Sequence, residues 1–151
     1  AWKGFELSLF FQYAYGNEIF NMNAVELETP TGGQNAYREI LNRWTPANPS
    51  NIYPKATTNR NVLISDRFIE DGSYLKLKTL SLSYAFPTLK WKHLQGLRLY
   101  LTGQNLLTWT KYRGYDPEVS YRGASTLEQG EDYGGYPQSK TWLVGVKLDI
   151  K

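Results

Sequence analysis

The residues best suited to chemistry lie in the last third of the chain. Two carboxylate groups stand out there, Asp116/Glu118 and Glu128/Glu131/Asp132. Paired carboxylates can cleave a glycosidic bond when held roughly 5–10 Å apart. Loop carboxylates are more commonly just solvated, and Asp116-Pro117 also reads as the start of a turn. Oxygen-rich loops can bind Ca²⁺, but the ligand spacing of an EF-hand is not present. His93 is the only histidine and cysteine is absent, so thiol catalysis, disulfides and His- or Cys-based metal clusters are excluded. His93 itself falls in a short connection and is expected to be solvated. The expectation is a protein that is not an enzyme and holds no metal or cofactor.

The same stretch is rich in rings: Trp109, Tyr112, Tyr115, Tyr121, Tyr133 and Tyr136. Such rings can stack on sugars or anchor a partner, and they can equally pack a loop onto its neighbours. With the acceptors nearby, the candidate contact residues are Trp109, Tyr112, Tyr115, Asp116, Glu118, Tyr133 and Tyr136.

The elements that must position these groups show a period of two. From Phe5 to Tyr15 the odd positions are Phe5, Leu7, Leu9, Phe11, Tyr13 and Tyr15, and the even ones are mostly polar, with Phe10 as the misfit. A second strand spans Ser73 to Phe86, with Leu80, Leu82, Tyr84 and Phe86 on one face. Its phase inverts upstream, where Leu75 and Leu77 alternate with Lys76 and Lys78. Either a bulge resets the phase, or both lysines lie on the outer face at a rim and meet acidic lipid headgroups. A third strand starts at Leu97 and is interrupted by Gly103 and Asn105. The fourth sets Trp142, Val144, Val146, Leu148 and Ile150 on one face.

The connections alternate in length. Asn17 to Asp66 and Trp109 to Gln138 far exceed ordinary loops of about 4–6 residues, whereas Pro87 to Gly96 is short. In the first long loop, Tyr37, Ile40, Leu41 and Trp44 predict a helix capped by Asn35 and stopped by Pro46. Long excursions on one edge and a short turn on the other match outer-membrane barrels. The apolar faces run to the roughly 9–11 residues that a tilted strand needs to span hydrocarbon. Half of a soluble β-sandwich, for example a carbohydrate-binding domain, is the alternative. Sandwich strands are shorter and their turns more even. With a net charge of +3 and no Lys/Arg block, a nucleic-acid partner is not expected.

Several motifs resemble one family. Asp71-Gly72-Ser73-Tyr74-Leu75-Lys76-Leu77-Lys78-Thr79-Leu80 is similar to the DGSYLRLKNL signature of SusC/RagA-like TonB-dependent transporters. Gly103-Gln104-Asn105-Leu106-Leu107-Thr108, with Lys111-Tyr112 and Gly114-Tyr115-Asp116-Pro117-Glu118, resembles that family's GQNLLT and KY.GYDPE run. Trp44-Thr45-Pro46-Ala47-Asn48 resembles its WTPxN loop, Gly134-Gly135-Tyr136-Pro137 the run before its last strand, and Trp2 to Ser8 its KGF(D/E)LS strand opening. The matches are in order and cover almost the whole chain.

The resemblance implies an all-β piece: a four-stranded antiparallel meander forming the last strands of a plugged transmembrane barrel of roughly 22 strands. Residues 1–151 are then the C-terminal part of the barrel domain, with the plug and the other strands elsewhere. It implies integral residence in the bacterial outer membrane, among its lipids, with the C-terminus on the periplasmic side. It further implies import of oligosaccharides or peptides with a SusD-like lipoprotein lid, and coupling to TonB through the N-terminal part not contained here. The loop from Trp109 to Gln138 is then extracellular, and its candidate residues contact substrate or lid.

Overall fold

The computed structural model describes residues 3–29, 35–56, 64–87, 94–121 and 129–150. The chain divides into two compact units. One comprises Ala1–Tyr15, Ser73–Lys111 and Pro137–Lys151; the other comprises Gly16–Gly72 and Tyr112–Tyr136.

The first unit is the expected meander. Strands β1 (Phe5–Ala14), β4 (Tyr74–Ala85), β5 (Leu94–Thr110) and β7 (Thr141–Ile150) pair antiparallel, in that order, in one sheet. The register stacks one face into apolar rows: Phe5, Tyr84, Leu99 and Val146; Leu7, Leu82, Leu101 and Val144; Leu9, Leu80, Gly103 and Trp142. Two further rows are Phe11, Leu77 and Leu107, then Tyr13, Leu75 and Trp109. Directly paired residues share a face, so this side is apolar from one end to the other. The opposite side carries Glu6, Ser83 and Tyr100, with Ser8, Ser81 and Thr102, and an Arg98–Glu6 ion pair at 3.0 Å. Ser81 and Thr102 hydroxyls meet at 3.0 Å.

The inverted phase upstream of Leu80 is a bulge. Both registers jump from Leu77 to Thr79 across Lys78, and β5 answers it with the extra residues Asn105 and Leu106. Asn105 adopts φ 53, a left-handed conformation that Asn tolerates better than most residues. Its side-chain amide donates to the Ser139 carbonyl at 3.1 Å. The bulge therefore decides between the two expectations for the lysines. Lys76 pairs opposite Gln12 and Thr108, is 2% exposed, and lies with Nζ 5.4 Å from the Tyr74 ring centre. It sits on the polar side, so its expected contact with lipid headgroups is corrected. The bulge also carries β5 through Gly103 and Asn105 to Thr110, where the sequence pattern had broken. Rings cover the glycines beside it. A Cβ on Gly103 would stand 2.9 Å from Trp142 and Leu106 atoms, and one on Gly145 would run into the Tyr100 ring.

The second unit was not anticipated. Strands β2 (Glu18–Asn21), β3 (Ile69–Asp71) and β6 (Glu131–Asp132) form a small sheet in the order β3-β2-β6, with β2 parallel to β6. Helix α1 (Met22–Glu28) follows β2 directly, with the Asn21 side chain accepting from the Ala24 amide at 2.9 Å. Among the described residues, this is the α-helix of the first loop. The expected one around Tyr37–Trp44 is instead a 3₁₀ turn, Arg38–Asn42, without a side-chain cap from its N-cap residue Tyr37. Its apolar stripe is only partly covered: Leu41 is 72% exposed, while Tyr37 and Ile40 are half-buried. Trp44 and Thr45 go into a turn instead, where Thr45 and Asn48 exchange both backbone bonds at 3.0 Å.

The cores differ sharply. Among the described residues, the buried apolar side chains are Ile19, Ala24, Phe68 and Tyr112 in the loop-built unit and Leu77 alone in the sheet. The sheet's apolar face is open, with Leu7, Val144 and Val146 more than half exposed.

Candidate functional site

The loop-built unit is held by charge. The carboxylate of Glu28, at the end of α1, is 2% exposed and accepts from Arg67 at 2.5 Å and from Arg113 at 3.1 Å. Glu70 in β3 takes three bonds from Arg113: Nε at 3.0 Å, Nη2 at 2.8 Å and the backbone amide at 3.1 Å. The Asn21 amide adds a fourth at 2.9 Å. Burial pushes the Glu70 carboxyl up, but the Arg113 and Asn21 bonds outweigh it and hold the group below its ordinary range. Arg113 is raised by its bond to Glu70, against the opposing effect of burial. One guanidinium thus ties β3 and the end of α1 to the segment that follows β5. These partners are up to 85 positions apart, and no short-range pattern could reveal them.

The candidate residues separate into framework and surface. Tyr112 is 5% exposed and donates to Asp132, itself 1% exposed, at 2.5 Å. Burial, and then the Asp132 bond, raise the Tyr112 phenol far above its ordinary value. The other Asp132 oxygen accepts from the Gly135 amide at 3.1 Å. The Tyr112 ring lies over Gly114, where a Cβ would stand 2.3–2.5 Å from ring atoms. Asp116 is 8% exposed and accepts from the Glu118 amide at 2.9 Å, closing the turn around Pro117. Tyr112 and Asp116 therefore build the loop from within.

Tyr115 and Tyr136 are the open rings, 80% and 96% exposed. Tyr133 is partly covered by Tyr121, edge-to-face at 5.4 Å, and Glu118 is half-buried. Trp109 is not in the loop at all. It is the last but one residue of β5, opposite Leu75 in the sheet unit, and its expected loop position is corrected. His93, expected to be solvated, and the Glu128 carboxylate lie outside the described residues. Of the carboxylates expected there, Asp132 is buried and accepts from Tyr112. Among the described residues, no group of three His, Cys, Asp or Glu side chains could hold a metal ion. What the unit offers is a buried polar framework carrying exposed phenol rings.

The motif residues are mostly structural devices of this kind. Gly72 donates to the Asn17 carbonyl at 2.8 Å, and a Cβ there would collide with Asn17 and Ile19. Gly4, at φ 89, closes on Ala85 at the start of β1.

No family model matches the chain. It is 40% identical over 153 residues to TonB-dependent receptor P3 of Formosa agariphila, covering 97% of this chain and 15% of the relative. It is 37% identical over 91 residues to TonB-dependent receptor SusC of Bacteroides thetaiotaomicron, covering 58% of this chain and 8% of that protein. Among solved structures, the RagAB peptide transporter superposes with a TM-score of 0.81 at 32% identity, covering 98% of this chain and 16% of that one. The RagAB peptide importer in its open-open state gives 0.77. The chain thus spans about a sixth of the length of receptor P3 and of the RagAB transporter chain, and its match covers less than a tenth of SusC. With the meander, its one-sided apolar face and its motifs all in agreement, the chain belongs to the SusC/RagA-like TonB-dependent receptors, a family of outer-membrane β-barrel proteins.

Proposed function

We propose that this chain supplies four wall strands and two long surface loops to an outer-membrane transporter that imports oligosaccharides or peptides. In this reading it is the C-terminal part of the barrel domain. The transporter works with a SusD-like surface lipoprotein and couples to TonB through a plug-bearing part elsewhere in the polypeptide. It carries cargo and does no catalysis. The loop-built unit faces outward, and the chain end after Ile150 faces the periplasm. Tyr115, Tyr133 and Tyr136, with Glu118, contact substrate or lid, while Tyr112 and Asp116 keep their loop in shape. The likeness to a peptide importer supports the peptide class, and the family resemblance of the motifs implies oligosaccharides as the other.

One observation carries the reading. The sheet has almost no apolar core of its own, yet its apolar face continues through five rows of side chains. Such a surface does not stay wet, and hydrocarbon satisfies it over the whole length of a spanning strand. A soluble carbohydrate-binding domain would need a second layer over that face.

The chain contains no cysteine, so single cysteines introduced into it can be read in a full-length protein whose cysteines elsewhere have been replaced. In cells making the full-length protein, Tyr136→Cys reacts with a membrane-impermeant maleimide from outside. Lys3→Cys, at the opposite end of β1, reacts only after the outer membrane is opened. The reverse pattern, or equal labelling in intact cells, refutes the orientation.

A further inference from the structure

The Arg113 joint sets one ring from each long loop at the same corner of the loop-built unit. The Tyr37 amide donates to the Leu27 carbonyl at 3.0 Å, which holds Tyr37 against the end of α1, beside Glu28. Glu28 in turn accepts from Arg113 at 3.1 Å, and Tyr115 follows Arg113 by two residues. Tyr37 is half-buried, and Tyr115 is open over most of its surface. The electrostatics agree with this placement. Burial raises the Tyr37 phenol above its ordinary value, Arg113 opposes the rise, and Glu70, Glu28 and Tyr115 add to it. Arg113 is itself half exposed. Its Nε and Nη2 donate to Glu70 and its Nη1 to Glu28, so its bonds run along the edges of the guanidinium plane and leave a flat face that can stack. Glu28 and Glu70 answer Arg67 and Arg113, two charges of each sign.

We propose that Tyr37 and Tyr115 form one binding corner with the Arg113 guanidinium, and that its ligand is an uncharged oligosaccharide. The inference rests on the importer reading above and narrows it, from substrate or lid to substrate and from two cargo classes to one. A pyranose ring has an apolar C–H face that stacks on a phenol or a guanidinium, and hydroxyls at its rim that bond to phenol O–H groups. An acidic sugar or a peptide terminus is held best by an opposite charge that is still open to it. Here both arginines are already paired with carboxylates that are themselves largely buried. The corner offers flat faces and hydroxyls and carries no net charge. Tyr37 thereby joins the contact residues, from a part of the chain where the sequence showed only an apolar stripe.

Capture from defined mixtures tests the ligand class. The full-length protein, purified in detergent with its SusD-like lipoprotein, is offered digests of plant and algal polysaccharides split into uncharged and acidic fractions. A tryptic digest of casein is offered separately. The parent should retain uncharged oligosaccharides in preference to both other mixtures. Equal or greater retention of acidic sugars or of peptides overturns the proposal and leaves the importer reading standing. Retention of nothing from any mixture overturns both.

Variants of the same full-length protein test the corner. Tyr37→Ala and Tyr115→Ala should each weaken binding of the retained oligosaccharide about fivefold, and Tyr37→Phe, which keeps the flat ring, by no more than about twofold. Hydrogen exchange at β2 and β6 should match the parent in all three, and each should keep the lipoprotein bound as the parent does. Parent affinity in Tyr37→Ala removes Tyr37 from the site and overturns the two-ring corner. An affinity loss that comes with lost exchange protection assigns Tyr37 to the fold and overturns it as well. Loss of the lipoprotein with oligosaccharide binding intact makes the corner a lid contact, which also overturns the proposal.

Discussion

The four-stranded sheet and the loop-built unit put their apolar and charged groups in opposite places. In the sheet, Leu7, Val144 and Val146 are exposed, and the Arg98–Glu6 pair is exposed on the other side. In the loop-built unit, Ile19 and Phe68 are buried, and so is Glu28, with Arg67 and Arg113 closed over it. The sheet needs an outer solvent that accepts hydrocarbon. The loop-built unit makes its own interior and needs only water. The contrast teaches that the two parts should fail separately, under different insults.

The largest effect is expected at Arg113. Among the described residues, Arg113→Met leaves Glu70 with the Asn21 side chain and the residue 113 amide, and leaves the buried Glu28 with Arg67. Breaking a buried pair typically costs ~3–5 kcal/mol, and Arg113 should fall toward the low end because it is half exposed. Hydrogen exchange should show lost protection at β2 and β6 and unchanged protection at β4 and β5. Equal loss in both units would mean that they are not separately stabilised.

Next is the lipid face. Val144→Arg in the full-length protein should cost ~2–4 kcal/mol in vesicle unfolding experiments if it lies near the midplane, and Lys147→Gln on the polar side much less. Equal costs would contradict the facing assigned to the sheet.

The two units also differ in how much of them the sequence shows. The sheet could be read because one physical demand, an apolar face along a spanning strand, repeats at every second residue from Phe5 to Tyr13 and from Trp142 to Ile150. The reading broke only at Lys78 and at Gly103 to Asn105, where the bulge adds a residue that alternation cannot anticipate. Strands of four, three and two residues, as in β2, β3 and β6, are too short to show a period. Their stability comes from single long-range contacts such as Arg113 on Glu70. The candidate list caught Tyr112 and Asp116 because their residue types suit recognition. Only burial shows that both are committed to protein partners.

The bulge provides a third test. Asn105→Val places a β-branched residue at φ 53, which should cost ~1–2 kcal/mol, whereas Asn105→Gly should cost far less despite losing the Ser139 bond. If Val is tolerated as well as Gly, the left-handed geometry does not define the bulge.

Acid should separate the units too. The Glu70 carboxyl titrates lower in the folded unit than in an unfolded chain. A depressed folded value stabilises above the unfolded value of about 4.3 and is lost as pH falls through the folded value. The loop-built unit should therefore loosen below about pH 4, with exchange protection falling first around β3. Glu70→Gln should flatten that dependence. A variant with the parent's acid sensitivity would assign the transition to another group.

The smallest expected effects on stability are at the surface rings, and there the two candidate roles part. Tyr115 is 80% exposed, and Tyr115→Ala should change stability by no more than about 0.5 kcal/mol. Tyr133 also packs edge-to-face on Tyr121, so Tyr133→Ala should cost ~0.5–1.5 kcal/mol through that pair. If both rings only hold the loop in shape, uptake should follow stability, and Tyr133→Ala should be the more impaired transporter. If they contact substrate or lid, Tyr115→Ala should impair uptake with its fold and surface expression intact. The informative ratio is uptake lost per unit of stability lost, which a contact role makes large at Tyr115 and a packing role makes similar at both. Normal uptake in both variants would remove these rings from the functional surface.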